Sequence, residues 1–149
     1  TACFRETNDS IFLNFAKDIA NMIMDRVKTE DAIPYWDYDA PVTKETPRDV
    51  SAASVTASAM IELSTMVPDG QKYLDYAEKI LKSLSSDAYL AKVGDNQGFI
   101  LMHSVGSLPN GSEIDTPLNY ADYYYLEALK RFMELKKLRV ENGELRVIQ

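Results

Sequence analysis

The chain has 149 residues, 46% of them hydrophobic, which is enough for one domain with a core and excludes a disordered segment. Its net charge of −7, with the 16 basic residues scattered along it, excludes generic nucleic-acid binding, which needs clustered Lys and Arg to neutralise phosphate. Cys3 is the only cysteine and His103 the only histidine, so neither an internal disulfide nor a Cys- or His-based metal site is expected, and no cofactor is implied. No run approaches the roughly 18 apolar residues that a membrane span needs, so no membrane partner is expected.

The opening stretch, TACFRETNDSIF, reads as the end of one element, a turn and the cap of the next, as though the chain began in mid-domain. Asn8, Asp9 or Ser10 caps a first long helix whose apolar face runs Phe12, Phe15, Ala16, Ile19, Ile23 and Val27, ending near Thr29. From Glu30 to Pro47, three prolines and the cluster Tyr35-Trp36-Asp37-Tyr38-Asp39 predict a long ordered loop without strand periodicity. Asp49 caps a second helix from about Val50 to Met66. Its body, SAASVTASAM, is nearly all small residues, which suits a helix buried on every side. Pro68-Asp69-Gly70 is a tight turn, and a third helix presents Tyr73, Ala77, Ile80 and Leu84.

A second long connection follows, from Ala91 to Ile114, with Phe99-Ile100-Leu101-Met102 as a short buried or extended stretch. SLPNGS has the residues of a shaped turn. Asp115 or Thr116 before Pro117 reads as the cap of a fourth helix, whose face is Leu118, Ala121, Tyr125, Ala128, Leu129 and Phe132. On that helix Tyr123, Tyr124 and Tyr125 point in three directions. At the end, Asn142-Gly143 between Leu138-Arg139-Val140-Glu141 and Glu144-Leu145-Arg146-Val147 signals a short C-terminal β-hairpin.

Loop lengths alone place the two long connections together. Helices joined by short turns run antiparallel, so the loops entering the second and fourth helices lie at the same end of the array. Long ordered loops on a helical scaffold are where binding residues gather. The candidate substrate-binding face therefore holds Trp36, Asp37, Tyr38, Arg48, His103, Ser104, Ser107, Asn110 and Ser112. It also lies at two helix N-termini, whose free amides favour anions such as a carboxylate or sulfate.

Four motifs in fixed order, FRETND, IPYWDYDAP, RDVSAASVTASAMIELS and HSVGSLPNGSEIDTPLNYADYYYLEALKR, resemble the C-terminal half of the unsaturated glucuronyl hydrolases, glycoside hydrolase family 88. The resemblance runs from about Phe4 to Arg131. It implies an all-α fold, the C-terminal part of an (α/α)6 barrel in which outer and inner helices alternate and the loops entering inner helices line the active site. It also implies a reaction: an aspartic acid protonates C4 of a 4,5-unsaturated uronic acid, water adds at C5, and the hemiketal opens to release the sugar. The partner so implied is an unsaturated uronyl oligosaccharide produced by a polysaccharide lyase.

The aspartates that act as catalytic acids in such enzymes lie upstream of the matched region, so the resemblance assigns no catalytic residue to this chain. Asp49 and Asp115 are read as helix caps. His103 is open between a contact to sugar or sulfate and a hydrogen-bonded structural role, and Trp36 between a stacking platform for sugar and a plug. A non-catalytic helical carbohydrate-binding or interaction module is the alternative reading, and a four-helix unit of unrelated function a third. A partial ring leaves two apolar flanks, Phe12, Phe15, Ile19 and Ile23 on one side and Tyr125, Leu129 and Phe132 on the other. Those flanks are expected to pair with a second copy of the chain or with the N-terminal half of the barrel.

Overall fold

The structure, a computed structural model, describes residues 1–141. A short helix α1 (Ala2–Thr7) ends at Asn8, which adopts the left-handed conformation, and the side chain of Asp9 then caps α2 (Ser10–Arg26) by accepting the amide of Ile11. After the first long loop come α3 (Val50–Ser64) and α4 (Gln71–Leu84), joined by a short turn. The second long connection contains the strands β1 (Ser104–Ser107) and β2 (Ser112–Thr116), and α5 (Asn119–Glu141) follows.

The core is built on α3, which packs chiefly against α4 and α5. Ten of its residues are buried, and Ala53, Ala57 and Ser54 are essentially without exposure. The facing helices contribute Tyr73, Leu74, Ala77, Ile80 and Leu84 from α4 and Ala121, Tyr125 and Ala128 from α5. Small side chains on α3 and α5 let the two backbones come close. A polar seam crosses the same interface: Arg131 donates to the carbonyl of Ser58 at 3.0 Å and faces Glu127 and Glu62, while the Ser58 hydroxyl bonds Glu127 and Arg5 reaches Glu62 from α1.

Several expectations are corrected. SLPNGS is a turn as expected, but the stretches flanking it, read as loop, pair as an antiparallel hairpin, with Val105 opposite Ile114 and Ser107 opposite Ser112. Asp115 and Thr116 belong to β2, so α5 starts at Asn119 and Asp115 is no helix cap. Leu138 to Glu141, read as the first strand of a C-terminal hairpin, instead continues α5, because its residues prolong a helix already three turns beyond its last buried position. The second limb of that hairpin lies outside the described residues. Of the apolar flank expected on α2, Phe12, Phe15 and Ile19 are exposed while Ile23 packs on the core; on the other flank Tyr125 is buried and Leu129 and Phe132 pack on the core. The outward apolar residues of α5 are Tyr120, Tyr123, Leu126, Met133, Leu138 and Val140. Among the described residues no helix is long and apolar enough to cross a membrane.

Candidate functional site

The N-terminus of α3 is where the two long loops meet. Residues 34–36 run beside 47–49, with Trp36 donating to the Pro47 carbonyl at 3.1 Å and Asp49 to that of Pro34 at 2.9 Å, so the first loop closes on itself as it enters the helix. Asp49 then caps α3: one carboxylate oxygen accepts the Ser51 amide at 3.0 Å and the Ser51 hydroxyl at 2.7 Å. The same oxygen accepts the amide of Val105 at 3.3 Å, and the carbonyl of His103 accepts the amide of Val50 at 3.1 Å. A helix terminus leaves its first amides without partners inside the helix. Here the second loop supplies one of those partners, so the cap is also the joint that holds the hairpin over the helix.

Asp31 makes the second joint. It accepts the Tyr89 hydroxyl at 2.5 Å and the Ile33 amide at 3.1 Å, lies 3.5 Å from the Arg48 guanidinium, and its carbonyl takes the Ser83 hydroxyl at 2.7 Å. Burial alone raises its pKa, but Tyr89, the Ile33 amide and Arg48 together outweigh burial and hold the carboxyl below its usual value. Conversely burial, and then the bond to Asp31, push the Tyr89 hydroxyl well above the usual tyrosine value. Burial also pushes the Tyr76 hydroxyl up to about 12, with Tyr38 adding to it. The Tyr38 hydroxyl is raised by burial and by nearby Asp49, against a bond to Thr56 that lowers it.

The first loop encloses a cavity of about 570 Å³ lined by Arg26, Lys28, Asp31, Tyr35, Asp37, Tyr38 and Arg48. A second cavity of about 370 Å³ shares Arg26, Tyr35, Asp37 and Tyr38 and adds Trp36 and Ala52. Trp36, Asp37, Tyr38 and Arg48 are thus gathered at one place. Arg48 lies over the Tyr35 ring at 4.4 Å and donates to the Ile33 carbonyl, so its guanidinium is already held.

The hairpin residues form a separate group that lines neither cavity. His103, at φ 66°, places Nδ1 2.6 Å from Asp115, and its ring meets the edge of Tyr89 with centroids 6.3 Å apart. Asn110 donates to the Ser107 hydroxyl at 2.7 Å, and Ser112 is exposed. Ser104 departs from the expected surface position: it is fully buried, and its hydroxyl has no hydrogen-bond partner among the described residues. Among the described residues no cluster of His, Cys, Asp and Glu could hold a metal ion.

Sequence reasoning missed Asp31, Tyr89 and the pairing of Asp115 with His103. Asp31 stands just before IPYWDYDAP and could have been read as part of that motif, whereas nothing in SSDAYLAK marks Tyr89.

No family model matches the chain. It is 43% identical over 136 residues to an unsaturated glucuronyl hydrolase of Formosa agariphila, covering 91% of this chain and 34% of the relative. Among solved structures it is similar to an unsaturated glucuronyl hydrolase specific for heparin, with 59% identity, a TM-score of 0.87, and 90% of this chain against 36% of that one. An unsaturated glucuronyl hydrolase variant from Streptococcus agalactiae, complexed with dGlcA-GalNAc6S, has 29% identity and a TM-score of 0.79 over 87% of this chain and 35% of its own. The chain therefore spans about a third of the length of the relatives it matches, and its helices with their small two-stranded sheet match about a third of that helical barrel.

Proposed function

We propose, starting from a chain similar in sequence and backbone to about a third of the unsaturated glucuronyl hydrolases, that it forms the C-terminal part of one (α/α)6-barrel domain in a glycoside hydrolase. That hydrolase removes 4,5-unsaturated uronic acid from lyase-generated oligosaccharides. The observation that carries the reading is the 59% identity and TM-score of 0.87 with the heparin-specific enzyme. The same observation makes an unsaturated heparin-type disaccharide the first substrate to try.

In this reading the chain's contribution is binding and orientation. The aromatic and polar groups Trp36, Asp37, Tyr38 and Arg48 flank the sugar from the first loop, and His103, Ser107, Asn110 and Ser112 do so from the hairpin. Ser104 lies beneath the hairpin surface and reaches substrate only if that segment shifts. The proton for C4 comes from the portion of the barrel outside the match, because general acid catalysis needs a proton donor placed at the reacting carbon, the resemblance implies an aspartic acid for that role, and it assigns none here. The 149-residue chain is accordingly expected to leave the ultraviolet absorbance of an unsaturated uronyl disaccharide unbleached.

The test is steady-state kinetics of the whole enzyme. His103→Ala is expected to lower kcat/KM about tenfold or more while the melting temperature stays within a few degrees, as loss of a binding contact would. An unchanged kcat/KM with a lowered melting temperature assigns His103 a structural role and removes the hairpin from the substrate face.

A further inference from the structure

We infer that Asp31 is the positioning residue that fixes His103, on the second long loop, relative to Arg48, on the first. The inference rests on the reading above, in which both residues border the sugar. The two side chains come from stretches 55 positions apart, and no hydrogen bond between them is present; their link is indirect, through one carboxylate.

One oxygen of Asp31 accepts the Tyr89 hydroxyl at 2.5 Å, and the Tyr89 ring stands edge-on to the imidazole at an interplanar angle of 82°. The carbonyl of Tyr89 also accepts the amide of Met102 at 2.9 Å, so the residue before His103 is anchored to the same tyrosine. The other oxygen of Asp31 accepts the Ile33 amide and faces Arg48, while the Ser83 hydroxyl ties the Asp31 carbonyl to the end of α4.

The residue type matters as much as the place. The groups facing the carboxylate, the Tyr89 and Thr29 hydroxyls, the Ile33 amide and the Arg48 guanidinium, can all donate, and only an ionised carboxylate offers two oxygens with no hydrogen of its own. An asparagine would turn an NH2 group toward one of them. The backbone of His103 sits at φ 66°, a left-handed conformation uncommon outside glycine, though histidine adopts it more readily than most residues, so the direction of the imidazole rests on the groups that contact the ring. Asp115 holds Nδ1 from the hairpin, and the Tyr89 ring meets the imidazole at near a right angle.

His103 is the only histidine of the chain, so the imidazole proton–carbon correlations of the 149-residue chain report on this residue alone. Tyr89→Phe, which deletes only the hydroxyl that Asp31 holds, and Asp31→Asn are both expected to shift those signals. The double variant should shift them no further than Asp31→Asn, since both changes cut the same link. Thr46→Ala, which breaks a first-loop bond to Pro41 not involving Asp31, should leave them in place. In the whole enzyme each of the two variants should raise KM severalfold with kcat nearly unchanged. Imidazole signals that stay at their wild-type positions in Tyr89→Phe and Asp31→Asn overturn the inference. Shifted signals with an unaltered KM support the positioning and count against His103 as a substrate contact, so the two ideas fail separately.

Discussion

Asp49 carries two jobs on one oxygen. It caps α3 and it binds the amide of Val105, so its removal takes away a helix cap and a long-range tie together. Loss of a cap alone costs about 0.5–2 kcal/mol, and leaving a buried amide without a partner about 1–3 kcal/mol. Asp49→Ala should therefore lower stability by about 2–4 kcal/mol in urea denaturation, and Asp49→Asn, which keeps an accepting oxygen, by clearly less. Equal losses for the two would show that the charge matters rather than the bond. Asp31 gives a pH signature with a definite sign. Its folded pKa lies below the unfolded value of about 3.9, so its contribution is complete above that pH and is lost as pH falls through the folded pKa. The melting-temperature gap between wild type and Asp31→Asn should hold steady from neutral pH to about 5 and narrow below about 4. The cap role of Asp49 was legible because capping is a local rule. Asp31 was not, because Tyr89, its strongest partner, lies 58 positions away and no local pattern encodes that pairing.

At the scale of elements, helices were legible wherever burial and periodicity agreed. Tyr73, Ala77, Ile80 and Leu84 are the buried face of α4, and the small-residue body of α3 is buried nearly all round. The hairpin escaped notice because its strands are four and five residues long and neither buries alternate residues, β2 being exposed along nearly its whole length, so the apolar-polar alternation that betrays a strand is absent. Leu138 to Glu141 give the opposite case: read as a strand before Asn142-Gly143, they are helical, while Asn142-Gly143 lie outside the described residues. The turn between α3 and α4 yields a sharp test. A Cβ on Gly70 would sit 1.9 Å from the Ser64 carbonyl oxygen, a backbone atom that cannot swing aside. Gly70→Ala should cost about 1–3 kcal/mol by overpacking, read from the denaturation midpoint. A variant as stable as wild type would mean that the two helices can part at that turn.

For the whole molecule the governing feature is the open side of α2. Ile11 and Phe15 are more than 60% exposed, Phe12, Ile19 and Met22 lie beside them, and an apolar cavity of about 180 Å³ opens between α2 and α3. Stable monomers rarely carry such a patch. The 149-residue chain by itself should sediment as a dimer at micromolar concentration, and Phe15→Ser should shift it toward monomer. A folded monomer in the wild type would show that the patch tolerates water.

Helix α3 touches α4, α5, β1 and α2, whereas α2 meets α3 only sparingly, and its further ties are to α1 and a bond from Tyr73 of α4 to Asn21. Such a layout divides the chain into parts that open at different free energies. Amide protons of α3 should exchange with deuterium only when the entire chain unfolds, at the rate set by global stability. Those of α2 should exchange far sooner, by detachment of the helix from an otherwise intact body, and a partner seated on its apolar face would slow them selectively.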